Sequence, residues 1–190
     1  MRSTTRPTKA DLEAARDRIL SDVLPPDGGT LRVLFSGINP GLYSSATGYH
    51  FARPGNRFWP ALHRSGFTDR LLAPSEQDLL AGLGLGITNL VPRATARADE
   101  LTGDELREGG RRLEALVERH RPAYLAIAGV TAYRTAFARP RSRIGPQDQA
   151  LGAARIWVLP NPSGLNASWQ LDRLAAEFRR LREAADALRG

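Results

Sequence analysis

Two short segments carry the residue types best suited to chemistry: Gly37-Ile38-Asn39-Pro40-Gly41-Leu42, and Pro160-Asn161-Pro162-Ser163-Gly164-Leu165-Asn166. Glycine, proline and asparagine are ordinary turn formers, so either segment alone reads equally well as a plain turn. An asparagine amide can orient water by hydrogen bonding but cannot take its proton at neutral pH. Gly41 suits a backbone that something must approach closely. A third segment, Gly48-Tyr49-His50-Phe51, puts an aromatic ring in a glycine-rich loop rather than in a periodic element. None of these matches the dinucleotide or phosphate-loop fingerprints, which need G-x-G-x-x-G or G-x-x-x-x-G-K. The chain has no cysteine and only three histidines, scattered as His50, His63 and His120. That excludes thiol nucleophiles, disulfides and thiolate-held clusters, and leaves no metal-ligand spacing. Neither a metal nor a cofactor is expected.

The elements that must position these segments follow from apolar periodicity. Leu12, Ala15, Ile19 and Val23 share one side of an expected N-terminal helix. Leu31 to Phe35 reads as a strand ending at Ser36-Gly37. Asn56 is placed to cap a helix through Phe58, Trp59 and Leu62 that stops at Gly66. Ser75 to Asp78 signals the start of a short helix containing Leu79 and Leu80. Leu85 to Val91 is a second strand, and Thr102 with Glu105 forms a capping box before a helix using Leu106, Leu113, Leu116 and Val117. Pro122 to Ala128 reads as a buried strand followed by a helix near Val130 to Phe137, and Arg155 to Leu159 as the last strand. Leu171, Leu174, Phe178, Leu181, Ala185 and Leu188 make the apolar stripe of a final helix. Alternating strands and helices predict an α/β fold: a single three-layer α/β/α sandwich with a mostly parallel, short central sheet. Residues 1–8 read as a flexible basic tail and 9–190 as one domain. In such sheets ligands bind beyond the carboxyl ends of the strands, where both loops fall.

The 190-residue chain carries a net charge of +7, almost wholly from arginine, with Lys9 its only lysine. Excess arginine suits phosphate, although a solvated arginine-rich surface gives the same composition. No apolar run approaches the ~18 residues of a membrane helix. No membrane partner is expected, and the default reading is a cytoplasmic, nucleoid-associated monomer.

With its motifs in order, the chain from about Leu31 onward resembles the mismatch-specific uracil-DNA glycosylases, relatives of the thymine-DNA glycosylases. The resemblance rests on Gly37-Ile38-Asn39-Pro40-Gly41, Gly48-Tyr49-His50-Phe51, Asn56-Arg57-Phe58-Trp59 and Asn161-Pro162-Ser163-Gly164-Leu165. It implies a DNA-repair glycosylase that flips uracil, and in some members thymine or modified pyrimidines, out of mismatched double-stranded DNA and hydrolyses its glycosidic bond. Asn39 then positions the attacking water. Ile38, Gly41, Ser44 and Phe51 hold the base, with Phe51 stacking on it. Leu165 is the wedge that fills the vacated gap, and Gly164 and Asn166 face the widowed guanine. Asn166-Ala167 departs from the small hydroxyl and arginine common in relatives, which loosens the expected guanine readout.

Four further residues, Arg53, Arg57, Asn89 and Ser163, are candidate phosphate contacts; Arg53 and Arg57 read almost equally as a solvated face, and Asn89 as a contact either to phosphate or to the site. Asp99, in the loop after the second strand, has two readings. It is a carboxylate that supplements Asn39 as a catalytic group, or a structural acid, solvated in the loop or placed at a helix N-terminus. The main alternative function is a non-catalytic damaged-DNA-binding module of the same fold.

Overall fold

A computed structural model of the chain describes residues 6–188. A five-stranded sheet in the order β2-β1-β3-β5-β4 forms the middle layer. Its strands are β1 (Val33–Gly37), β2 (Leu85–Asn89), β3 (Tyr124–Ala128), β4 (Gly145–Leu151) and β5 (Ala154–Leu159). β2, β1, β3 and β5 are parallel, and β4 runs antiparallel along β5 at the edge. The parallel strands β1, β2 and β3 are buried on both faces, as a sheet covered on both sides requires.

Alternate residues feed two cores. Val33, Phe35, Tyr124, Ala126 and Trp157 face α3 (Phe58–Arg64) and α6 (Leu171–Ala187). Leu34, Leu125, Ile127, Ile156 and Val158 face α4 (Gly103–His120) and α5 (Val130–Ala136). This is the expected three-layer α/β/α sandwich. Close helix–sheet packing is set by Gly109, where a Cβ would run into the Leu90 carbonyl oxygen. Two short helices, α1 (Lys9–Ala14) and α2 (Leu42–Thr47), complete the set.

Local signals account for most element ends. Thr102 and Glu105 cap α4 reciprocally, and Asn56 Oδ1 accepts from the Phe58 N–H at 2.9 Å.

The N-terminal helix departs from expectation: it ends at Ala14, and Ile19 is exposed. Asp17 adopts φ 60° and its N–H turns to the Ala94 carbonyl. The chain then runs extended beside β2, bridging Ile19 to Arg93 and Val23 to Ile87. Edge pairing there outweighs the helical spacing of the apolar residues.

The segment at Pro74–Leu83 is a 3-10 helix whose first turn is closed by Glu76 accepting from the Ala73 N–H, not by Ser75 and Asp78. Thr8, placed in the expected tail, caps α1. Residues 1–5 lie outside the described residues. β4 has no counterpart in the sequence reading because its residues are mostly exposed and do not alternate.

Candidate active site

A cleft of about 150 Å³ opens at the carboxyl ends of β2, β1, β3 and β5. This is the position favoured in open parallel sheets, where the chain order switches direction beside β1. Its lining includes Gly37, Ile38, Asn39, Gly41, Ser44 and Phe51 from one side, and Thr95, Arg97, Asn161 and Ser163 from the other. Among the described residues, no carboxylate lines it.

The loop after β1 and the loop after β2 are zipped together. Leu90 N–H donates to Gly37 O, Val91 N–H to Ile38 O, and Thr95 N–H to Pro40 O. Asn39 uses the same seam. Its Nδ2 donates to Arg93 O at 3.1 Å and to Thr95 Oγ1 at 2.7 Å. Thr95 Oγ1 in turn donates to Arg97 O at 2.7 Å, so it must accept from Asn39. A carbonyl only accepts, which fixes the amide orientation and leaves Asn39 Oδ1 free as an acceptor. Thr95, the residue that decides this, was not among the sequence candidates. No motif marks it, because it meets Asn39 only in the fold.

Gly37 sets the floor. A Cβ there would lie 2.6 Å from Asn89 Oδ1 and 3.2 Å from Phe51 Cζ. Glycine therefore lets both side chains close over the end of β1.

Phe51 takes φ 52°, an unusual backbone state for a bulky residue that costs roughly 1–3 kcal/mol. Its flanks hold it there. Ser44 Oγ accepts from Ala52 N–H at 3.1 Å, His50 O accepts from Trp59 Nε1 at 3.0 Å, and Gln77 Oε1 accepts from His50 N–H at 2.8 Å. The Phe51 ring stacks on Phe58 with centroids 4.1 Å apart. Ser44 thus shapes the loop as well as lining the cleft.

His50 had no assigned role, yet it is buried at the floor. Its Nε2 lies 2.9 Å from Ser21 O, so that nitrogen carries the proton and Nδ1 accepts from Asn89 Nδ2 at 3.3 Å. Burial pushes the imidazole pKa below its usual 6.5, against the raising effects of the Ser21 carbonyl and Asp22. The ring is therefore neutral at pH 7.

Of the two readings of Asn89, phosphate or the site, its placement matches the site: it is only 3% exposed and belongs to the floor of the cleft. Its carbonyl is held by Arg112 Nη1 at 2.9 Å, within a network where Arg112 and Thr88 both bind Asp22.

Arg57 is also not a surface cation. Its Nη1 donates to the carbonyls of Ser163, Asn166 and Trp169, and its Nη2 to Gly164 O and Gln170 Oε1. One guanidinium therefore gathers the whole loop after β5. Gly164 lets that loop dock, because a Cβ would meet Gly55 O at 2.6 Å.

Leu165 stands 78% exposed at the loop tip. Its N–H donates to Ser163 Oγ, while Ser163 N–H donates to Asn161 Oδ1. The Asn166 side chain is spent inside the loop: Nδ2 donates to Asn161 O and Oδ1 accepts from Ser168 N–H.

Arg53 is exposed at the cleft mouth and makes no ion pair with a described residue. Gly41 caps α2 with φ −73° and open space around its Cβ position, so no part of the protein requires glycine there. The Ile38 side chain packs on Gly129 at the end of β3.

Asp99 is not brought to the cleft. It lies on a 3-10 turn (Ala98–Glu100), its side chain is 69% exposed, and it pairs outward with Arg97 Nε at 3.0 Å. Of the two readings of this residue, the placement matches the solvated loop acid.

No described group of three or more His, Cys, Asp or Glu residues could hold a metal ion. No described helix is long and apolar enough to cross a membrane.

The fold has solved counterparts. The chain is similar to a Methanosarcina acetivorans protein, a candidate uracil DNA glycosylase with a solution NMR structure. The match has a TM-score of 0.59 at 20% identity and covers 87% of this chain and 98% of that one. The model of the uracil DNA glycosylase superfamily matches residues 25–188, a span that contains every residue named above as lining the cleft. The chain belongs to the uracil DNA glycosylase superfamily.

Proposed function

We propose that the protein is a mismatch-type uracil-DNA glycosylase, hydrolysing the bond between uracil and deoxyribose in duplex DNA. The observation that carries this reading is the fixed Asn39 amide, its Oδ1 free in a cleft without carboxylates. Asn39 Oδ1 accepts a hydrogen bond from water and aims its oxygen at C1′. Phe51 stacks on the flipped base, and the amide of Asn89 meets the base edge from the floor. Leu165 fills the gap left in the duplex, and Arg53 and Ser163 approach the phosphates.

The C1′–N bond breaks with its electron pair leaving on the base, and the water oxygen bonds to a sugar of oxocarbenium character. The water proton passes to solvent, and the base anion is protonated after departure. No lining group takes that proton, so rate comes from positioning and leaving-group stabilisation. Turnover is slow beside an enzyme that has a carboxylate base.

The test is incubation with duplexes carrying G·U, A·U or G·T and with single-stranded uracil DNA, in chelator, followed by hot alkali to reveal abasic sites. Cutting confined to G·U supports mismatch-directed excision. Equal cutting of A·U and single strands keeps the activity but removes guanine readout, as the internally spent Asn166 amide would explain. DNA binding without any cutting overturns the proposal in favour of a binding module.

A further inference from the structure

Three arginines, Arg139, Arg141 and Arg143, project from the turn between α5 and β4, all exposed and none ion-paired with a described residue. Most other arginines are spoken for. Arg107, Arg111 and Arg119, for example, each bind a carboxylate. The turn is built rather than loose. Arg134 donates twice to Ser142 O, at 2.9 and 2.6 Å, and Ser142 N–H donates to Arg139 O. Gln147 Nε2 closes the far side on the carbonyls of Arg143 and Gly145. Ala138 accepts φ 53° to start it. Asp148 is the one acid lining the same groove, which leaves the turn strongly cationic.

Topology aims this turn. Gly145 pairs with Val158 near the carboxyl end of β5, the end from which the Leu165 loop leaves. β4 is the outermost strand, beyond β5 as seen from β1. Three strand spacings from β1 to β4 come to ~14 Å, or about four base pairs along a duplex axis.

We infer that the Arg139–Arg143 turn is a second phosphate-binding site, which holds the DNA backbone about four base pairs from the lesion on the Leu165 side. The inference rests on the duplex-DNA reading above. Bidentate guanidinium contacts suit phosphate oxygens, and each phosphate engaged releases counterions.

The test measures binding to a G·U duplex across a salt series, with single-turnover excision followed in the same samples. The protein is compared with R139Q/R141Q/R143Q and with R107Q/R111Q/R119Q, which removes equal charge elsewhere. Each lost phosphate contact lowers the slope of log affinity against log salt by about 0.9. The expected result is a slope lower by roughly 2–3 for the turn variant alone, with uracil excision at saturating protein unchanged. A slope unchanged in the turn variant, or lowered equally in both variants, overturns the inference while excision by the unaltered protein still stands. Failure of the unaltered protein to bind or cut the duplex fells the functional reading and this site with it.

Discussion

The two halves of the cleft are held in opposite ways. The floor, made by the loops after β1 and β2, is buried and redundantly bonded: three backbone bonds join the loops, and the side-chain bonds of Asn39, Thr95, His50 and Asn89 add to them. The loop after β5 carries the exposed Leu165, and its ties to the rest of the protein centre on Arg57, through its guanidinium and its N–H to Pro162 O, with Arg173 reaching Ser168 O. A group that must orient one water needs rigidity from many small contributions. A wedge that must enter and leave a base stack can tolerate a hinge with one clamp. The difference teaches that side chains far from the reacting atoms carry unequal risk on the two sides of the cleft.

The largest break in this comparison comes from Arg57→Gln. Hydrogen bonds to a charged group contribute about 1.5–3 kcal/mol, and no other side chain can replace the fork. Uracil excision from duplex DNA is expected to fall about 100-fold, given how steeply misplacement lowers rate. Amide exchange should accelerate over residues 163–170 and stay slow over residues 90–95. Equal exchange in both regions would show that the clamp is not what holds the wedge loop.

Leu165→Ala should lower the same rate by about 10-fold through lost wedge contact with the duplex. Thermal stability should not move, because the side chain is 78% exposed. A clear fall in Tm would mean that Leu165 packs against the protein instead.

The floor has its own sensitivity, which is acid. The folded-state pKa of His50 lies below its ordinary 6.5, so the unfolded chain binds the proton first. The His50 contribution to stability is thus complete above about 6.5 and is lost as pH falls beneath it. Protonation of the folded ring, which comes only at the acid end of that range because its pKa is depressed, turns Nδ1 into a donor facing the Asn89 amide, so excision should decline there. Relative to its own value at pH 7, His50→Gln should lose less Tm on acidification than the unaltered protein. Matching acid profiles would remove His50 as the cause.

The smallest effect is expected for Asp99→Asn, with excision within about twofold of the parent, as is usual for an exposed polar exchange. A drop beyond tenfold in single-turnover rate would return Asp99 to the chemistry.

What the sequence disclosed divides along similar lines. Strands β1 and β3, the Thr102–Glu105 cap and the stripe of α6 were legible because periodicity and capping are local. β4 was not, since an exposed edge strand imposes no alternation. Ile19 misled for the reverse reason: its helical spacing lost to a bridge with Arg93, some seventy residues away.

In the site, Asn39, Phe51 and Leu165 stand in recognisable motifs, and the first two line the cleft while the third stands exposed on the loop beside it. Thr95, the His50–Asn89 pair and the Arg57 clamp are made by partners remote in the chain. Arg57 reads as a surface cation, and Asn89 as a contact to phosphate or to the site, until the fold shows the first consumed by carbonyls and the second buried in the cleft floor.

The most direct test of the central claim is single-turnover release of uracil from a G·U duplex by the unaltered protein and by Asn39→Ala, with DNA affinity measured alongside. If Asn39 Oδ1 positions the water, the rate constant falls by at least about 100-fold while affinity stays within a few-fold. An Asn39→Ala rate close to the parent's, with binding intact, would contradict the account.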